Sequence, residues 1–448
     1  MMQDSDKAIH KTINKTDSRV CIDVIGLGVA EHALLTPAAQ QAIQQAEVII
    51  GSDRQLAVIS QLLISNVEHQ AEPKPQPKQT LLPALSQLLV LLAAHQQQRV
   101  VILASGDPLH YGIGRWLLTK FGKDNLQFHA GISSMQAACH ALGLALQDVE
   151  VLSLHGRPLA KIRTCLKTKQ TLVILTDKHS QPQHLAQECI NAGFAQSIIW
   201  VCELLGYAQQ RIRAFTVTQL MAASALSFDP LHVSVIEPLG TGGILPNFPG
   251  IEDHCFVTDR EAGKGMITKR EVRLQILSLM QPSKGDVIWD IGAGCGGVAV
   301  ELAYWQQDAK VYAIEHHPER LSCLVANQQR FGVVANLTII TGRAPAELAT
   351  LPVANKIFIG GSDGELASVL ALSWQQLPAG GVLVASAVTE TTKYQLQHFA
   401  QSLSEQQTET LQVAISKGTK LAGQLMYKPN LPVTLFKFTK YEEVDNEV

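Results

Sequence analysis

The run VIWDIGAGCGGVAVELA places an acid, Asp290, ahead of Gly292, Gly294, Gly296 and Gly297, between a strand-like apolar run and a helical pattern. Glycine is needed where a chain turns tightly or a ligand must approach bare backbone, and a helix behind such a loop offers N–H donors. The spacing Gly292-x-Gly294-x-x-Gly297 suits a dinucleotide as well as S-adenosylmethionine, so the glycines alone leave the cofactor open. Asp290 tips the choice. Its carboxylate is expected to face the ligand, repelling a diphosphate and attracting a sulfonium and an ammonium. Glu315 falls 23 residues beyond Gly292, at the end of the next strand pattern, where a carboxylate can accept from both ribose hydroxyls. Ala293 and Cys295 complete the expected cofactor loop.

Two flanking segments join it. Thr268 opens T-K-R-E, the spacing of a capping box, and is open to two readings, helix cap or cofactor contact. In TGRAPAEL, which follows the third strand of this series, a backbone N–H and the Ala344 methyl can meet an adenine. In the first half, Gly26 and Gly28 follow an apolar run, Ser105-Gly106-Asp107-Pro108 ends another, and Gly131 to Ser134 opens a helix, with Ser133 and Ser134 at its start. Loops at strand ends converge on one edge of a parallel sheet, which is where such sheets bind ligands. Asp107 either orients substrate or caps its turn.

These loops need an α/β scaffold. Apolar runs at Val20–Ile25, Val48–Ile50, Val100–Leu103, Leu172–Leu175, Ile198–Val201 and His232–Ile236 alternate with helical periodicity. A helix is expected over Leu81–Ala94, packing by Leu81, Leu85, Leu88, Leu89 and Leu92, after a Pro-rich link at Glu72–Lys78. EPLGTGGILPNFPG, with four Gly and three Pro in fourteen residues, marks a boundary. Beyond it the pattern predicts helix Lys269–Met280, strand Val287–Ile291, helix Gly297–Trp305, strand Lys310–Glu315, helix Pro318–Phe331 and strand Leu337–Ile340. Strands at Gly381–Ala387, Gln412–Ser416 and Pro432–Phe438 then supply antiparallel edges. The expected division is an extension over 1–19, a domain over 20–237, a linker over 238–262, a domain over 263–440 and a tail over 441–448.

The 448 residues exceed one ordinary core, and 46% hydrophobic with 17% charged residues excludes a mainly disordered chain. A net charge of −3 provides no global field for nucleic acid. The longest strongly apolar stretch, Leu88–Ala94, is far below the roughly 20 residues that span a bilayer. The polar N-terminal segment does not read as a secretory signal. The eight cysteines (Cys21, Cys139, Cys165, Cys189, Cys202, Cys255, Cys295 and Cys323) form no C-x-x-C pair and read as buried small hydrophobes in a reducing cytoplasm, with no metal site.

The first half resembles the tetrapyrrole methylase family (CbiE-like) in its G-x-G, LT-x-x-A, IIGSDR, SGDP, GISS, SLHGRP and VCELLG motifs. The second half is similar to CbiT-like class I methyltransferases in GMITKREVR, WDIGAGCGG, the Glu315 strand and GRAPAEL. Three departures stand out. Val29 and Ala30 replace the usual continuation of G-x-G-P-G, Ala130 stands where Pro is usual before GISS, and Arg343 stands where the family has an acid. A cofactor contact through that acid therefore does not carry over.

The resemblance implies a two-lobed N-terminal tetrapyrrole methylase domain and a C-terminal Rossmann-like class I methyltransferase domain. It implies one S-adenosyl-L-methionine per domain, bound by Gly26, Gly28, Asp107, Ser133 and Ser134 in the first domain. In the second, the binding residues are Thr268, Asp290, Gly292, Ala293, Gly294, Cys295, Gly296, Glu315 and Ala344. The implied reaction is methylation of a precorrin or cobalt-precorrin at meso carbons, with loss of carbon dioxide from an acetate arm, in cobalamin biosynthesis. A substrate rich in carboxylates calls for cations; the candidates are Arg54, His155, Arg157, Lys269, Arg270 and Arg273. A homo-oligomer is also implied. A nicotinamide oxidoreductase and a non-catalytic tetrapyrrole carrier remain as alternatives.

Overall fold

The computed structural model describes residues 22–29, 31–67, 76–222, 225–261 and 264–442. Cys21, Ala30, the 1–19 extension and the end of the tail lie outside them. Strands β1 (Ile22–Gly26), β2 (Val48–Gly51), β3 (Lys78–Leu81), β4 (Val100–Ala104) and β5 (Leu126–His129) form a wholly parallel sheet in the order β3-β2-β4-β1-β5. Parallel strands covered on both faces require unbroken apolar runs, and β2 and β4 are buried along their whole length. The helix expected from Leu81 begins at Leu85 instead. Pro83 disfavours helical backbone at Leu82, so Leu81 ends β3 and is exposed, while Leu88 and Leu92 carry the buried stripe.

Strands β6 (Val149–Ser153), β7 (Thr171–Leu175), β8 (Ile198–Glu203), β9 (Arg211–Thr216) and β10 (His232–Glu237) make a second sheet, β6-β7-β10-β8-β9, in which only β6 and β7 pair in parallel. The described chain divides into two compact units. The first is drawn from residues up to His155, Gln170–Ala186 and Ser197–Glu237, and the second from Gly156–Lys169, Gln187–Gln196 and Pro238 onward.

In the second unit, β11 (Val287–Ile291), β12 (Lys310–Glu315), β13 (Leu337–Thr341), β14 (Lys356–Ile359) and β15 (Val382–Ala387) are parallel. Strand β16 (Thr408–Val413) is followed by a separate hairpin of β17 (Ser416–Leu421) and β18 (Gln424–Pro429), and β19 (Val433–Thr439) closes the series. The order is β13-β12-β11-β14-β15-β19-β16, with β19 antiparallel to both neighbours. The strand expected over Gln412–Ser416 is therefore two strands, broken between Val413 and Ser416.

After β13 the chain returns to the other side of β11, so a crevice opens at the carboxyl ends of β11, β12 and β14. Fully buried Trp289 anchors β11 there, its indole N–H donating to the Pro352 carbonyl at 3.1 Å. Roughly 200 Å² of indole at about 25 cal/mol per Å² contributes about 5 kcal/mol of gross burial.

Candidate functional sites at the carboxyl ends of two parallel sheets

In the first unit, three strand ends meet. Gly28 and Gly106 exchange backbone hydrogen bonds at 3.3 and 3.1 Å. A Cβ on Gly26 would lie 2.6 Å from the Gly106 carbonyl oxygen, so the loops pack backbone to backbone. Asp107 Oδ1 accepts from the Leu109 and His110 N–H groups at 2.8 and 3.0 Å, and its Oδ2 accepts from Gly131 N–H at 3.3 Å. Asp107 thus caps its own turn and ties it to the loop after β5. The Ser133 hydroxyl accepts from Gln136 N–H while the Gln136 side chain accepts from Ser133 N–H, a capping box that starts helix Ser134–Leu142. One approach escaped the sequence reading: Glu31 N–H donates to the Gly206 carbonyl at 3.4 Å, which brings the VCELLG segment against the first glycine loop. Arg54 is exposed and donates to the Ser105 hydroxyl at 3.2 Å, beside the same cluster. His155 is exposed after β6, and Arg157, also exposed, belongs to the second unit.

In the second unit, a cavity of about 380 Å³ opens at the switch point. Its lining includes Thr268, Lys269, Gly292, Ala293, Gly294, Glu315 and Ala344, so these expected residues come together. The cradle is backbone: a Cβ on Gly292 would lie 2.4 Å from the Gly361 carbonyl oxygen, and one on Gly294 2.5 Å from that of Met266. Glu315 is buried at the cavity wall. One of its oxygens accepts from Gly294 N–H at 2.9 Å and the other from the His316 and His317 N–H groups, each at 2.9 Å. Four residues on the rim were not foreseen as binding groups: His316, Arg343, Ser362 and Asp363. Asp363 reaches His316 at 3.0 Å and Arg343 at 3.3 Å, linking the loops after β12, β13 and β14. The signal for this was the arginine in GRAPAEL, which needs a carboxylate.

Several expectations are corrected. Asp290 does not face the cavity. It is 1% exposed beneath the loop, turned toward the Ala299 N–H at the start of helix Gly297–Trp305. Neither oxygen has a partner in hydrogen-bond geometry among the described residues. Burial pushes its carboxyl up to about 7, the Ala299 N–H offsets a little of this, and the Glu315 charge adds to the rise. Cys295 and Gly296 are buried behind the wall rather than in it. Thr268 does not cap, because the helix starts after Lys269 with no side-chain cap. Arg273 cannot meet substrate: it is fully buried and paired with Glu301 at 2.9 Å and Asp253 at 2.8 Å, and it also donates to the Thr268 and Ile251 carbonyls. Arg270 is partly exposed but shared between Glu252 and Glu271. The seven described cysteines are all buried.

The loop's donors discriminate between cofactors. The Gly292 and Ala293 N–H groups donate to the Ile314 carbonyl, Gly294 N–H to Glu315, Cys295 N–H to the Met266 carbonyl, and Gly296 N–H to the Ala293 carbonyl. A diphosphate held at a helix N-terminus needs such donors free. Here they are spent, and a carboxylate stands beside them. With the N–H groups from Gly292 to Gly296 occupied, the loop favours a nucleoside carrying a cationic group over a diphosphate.

Residues 22–221 match the family of tetrapyrrole (corrin/porphyrin) methylases, and residues 259–440 match a precorrin methyltransferase domain. A cobalt-precorrin-7 C(5)-methyltransferase of Salmonella typhimurium is 31% identical over 201 residues, 45% of this chain and 93% of that protein. A probable cobalt-precorrin-6B C(15)-methyltransferase (decarboxylating) of Methanothermobacter thermautotrophicus is 34% identical over 179 residues, 40% of this chain and 92% of that protein. A precorrin-6Y C(5,15)-methyltransferase [decarboxylating] of a Sinorhizobium species is 34% identical over 423 residues, 94% of this chain and 96% of that protein. With both halves matched and nearly the whole length shared, the chain belongs to the precorrin-6Y C(5,15)-methyltransferase (decarboxylating) family.

Proposed function

We propose that the protein transfers methyl groups from S-adenosylmethionine to carbons 5 and 15 of a precorrin and releases carbon dioxide from the acetate arm on ring C. The observation that carries this reading is the spent set of loop N–H donors beside Glu315, which leaves the glycine cradle suited to a cation-bearing nucleoside. Glu315, beside the turn from Gly292 to Gly294, is suited to hold the ribose hydroxyls. Thr268 and the Ala344 segment close the walls. In the first unit, the Gly26–Gly28 loop, the Asp107 turn and the Ser133–Ser134 helix start form the matching cradle for a second molecule of donor.

When bound, S-adenosylmethionine supplies a methyl group on a cationic sulfur, so no nucleophilic side chain is needed for its activation. The protein's share is alignment and the exclusion of water. Loss of carbon dioxide leaves an electron pair that the conjugated ring of the substrate absorbs, which raises the nucleophilicity of the adjacent meso carbon. Lys269 at the cavity rim, Arg270 beside it, and Arg54, His155 and Arg157 supply cations for the carboxylate arms. No helix among the described residues is long and apolar enough to cross a membrane. The proposed enzyme works in the cytoplasm on a small-molecule substrate, as a homo-oligomer.

Incubation of the full chain with S-adenosylmethionine and the metal-free or cobalt-bound precorrin, followed by mass spectrometry, tests the proposal. Two methyl groups gained and one carbon dioxide lost are expected; unchanged mass under turnover conditions rejects it and leaves a carrier. Tighter equilibrium binding of NAD(P)H than of S-adenosylmethionine would establish the oxidoreductase instead.

A further inference from the structure

An adenine presents two polar groups on one edge, an amine that donates and a ring nitrogen, N1, that accepts. A pocket that reads it needs an acceptor beside a donor. The second cavity has both. Ala344 lines it, and the Ala344 N–H donates to no described residue. Glu315 and Asp363 are the acids of the cavity wall among the described residues, and Glu315 stands at the glycine turn, bound to three backbone N–H groups. That leaves Asp363 for the base. Its contacts with Arg343 and His316 are both made by Oδ2, at 3.3 and 3.0 Å, and no hydrogen bond from a described residue reaches Oδ1.

The strand order carries this carboxylate across the crevice. In β13-β12-β11-β14, Asp363 follows β14, whereas His316 follows β12 and Arg343 follows β13. Strands about 4.8 Å apart leave roughly 14 Å between the ends of β14 and β13, so the three side chains meet above the crevice and not at its floor. Asp363 has a φ of +49° and Gly364 one of +89°, so the loop turns sharply at this carboxylate. An exposed bridge of this kind adds at most about 1 kcal/mol to stability, so folding alone gives little reason to hold Asp363 in the left-handed region. Arg343, itself without an acceptor on its side chain, acts by drawing Asp363 across. Glu347, the acid in the loop after β13, packs against Gly342 and is not part of the cavity wall.

We infer that Asp363 reads the base of the methyl donor: its Oδ1 accepts from the 6-amino group of adenine while the Ala344 N–H donates to N1, with Arg343 and His316 as positioning residues. A hypoxanthine base reverses both polarities. It sets an oxygen against the carboxylate and an N–H against the Ala344 N–H. The second site thus selects an adenine nucleoside over a 6-oxo purine. This deepens the function proposed above and rests on it.

The test uses the full chain with S-adenosylhomocysteine and its inosine counterpart, S-inosylhomocysteine. Hydrogen exchange over Val287–Trp305, titrated with ligand, reads occupancy of the second cavity, and exchange over Ser134–Leu142 follows the first unit as a reference. The parent should bind the adenosine form about tenfold more tightly. Asp363→Ala should weaken the adenosine form about fivefold and leave the inosine form within about twofold. Asp363→Asn, whose amide presents either an acceptor or a donor, should bring the two within about threefold, chiefly by strengthening the inosine form. Glu347→Gln should keep the parent ratio. A parent-like ratio in both Asp363 variants overturns the inference, including the case in which both ligands weaken equally and Asp363 merely braces the loops. Collapse of the ratio in Glu347→Gln alone overturns it as well. Failure of the proposed function itself is distinct, since the unaltered protein would then bind neither nucleoside.

Discussion

Replacing Asp290 with Asn is the most informative perturbation, because this carboxylate lies buried under the cofactor loop without a hydrogen-bond partner among the described residues. Its folded-state value is raised from 3.8 to about 7. An unfolded chain therefore gives up its proton at lower pH than the folded one, and the unfolded state binds fewer protons between those limits. Stability must fall as pH rises from about 4 to about 7 and level off above. A shift of about three units at 1.36 kcal/mol each sets a ceiling of about 4 kcal/mol, and relaxation around a buried charge reduces it to roughly 2 to 3 kcal/mol. The Asp290→Asn variant has no such titration. Its amide carries its own unpaired-group cost of about 1 to 3 kcal/mol, but that cost is the same at every pH and cancels in the slope. Urea unfolding of ligand-free protein at intervals from about pH 4.5 to about pH 8.5, spanning the window of the shift, with hydrogen exchange over Val287–Trp305 as the local probe, gives the comparison. The variant gains on the parent by about 2 kcal/mol across that range. Parallel pH profiles would refute the argument, showing that the carboxylate finds a partner or solvent that its position beneath the loop denies it.

Arg273→Met should cost about 3 to 5 kcal/mol of stability, since it strands buried Glu301 and takes the ion-pair partner from partly buried Asp253, and thermal melting should drop while the KM of surviving enzyme stays put. Gly292→Ala forces a Cβ to 2.4 Å from the Gly361 carbonyl at a φ of +72°, so S-adenosylmethionine affinity by calorimetry should fall at least about tenfold. Asp363→Ala breaks the exposed cluster with Arg343 and His316 at the cavity rim, and the cofactor off-rate measured by stopped flow should rise about two- to fivefold and lose its salt dependence. Asp107→Ala removes acceptors for three backbone N–H groups, and proteolysis within the loops after β4 and β5 should accelerate while the second unit stays protected.

The sequence carried the elements of the second unit from Lys269 to Thr341 almost to the residue, because β11 to β13 are largely apolar runs bounded by glycine, proline or charge, but it did not carry β14 or the helices Leu366–Gln376 and Glu390–Gln401. It carried less where one residue type serves two environments. Arg273 and Arg270 share a helix and a local composition, yet the helical period turns Arg273 inward to Glu301 and Arg270 outward; only the position of a residue 28 places away decides which arginine is structural. The hairpin β17–β18 was invisible for a related reason. Its strands mix Lys, Gly, Thr and Leu without alternation, because neither face is buried. The antiparallel pairing in the second sheet of the first unit was not legible from its runs, because β8 and β10 are short buried strands whose direction is set by connections, not by composition.

Asp290 bears on how an acid two residues before a glycine turn contributes to choosing a cofactor. The residue sits in a strand whose side chains alternate between faces, so a position that leads into the loop need not point into it. Its neighbour Trp289 packs into the core on one side, leaving Asp290 on the other, under the first turn of the following helix. Placed there, the carboxylate acts on the loop from behind. Glu315 raises its proton affinity, and a positive charge arriving in the cavity would lower it. Binding of a cationic donor at about pH 6, where the raised carboxyl is still largely protonated, should therefore release a fraction of a proton, whereas a neutral analogue of the donor that lacks the sulfonium should release less. Calorimetry in buffers of different ionisation enthalpy counts these protons directly. Equal proton release for the charged and neutral ligands would show that Asp290 serves only the helix start, and that selection of a cation falls to Glu315 and the spent loop donors alone.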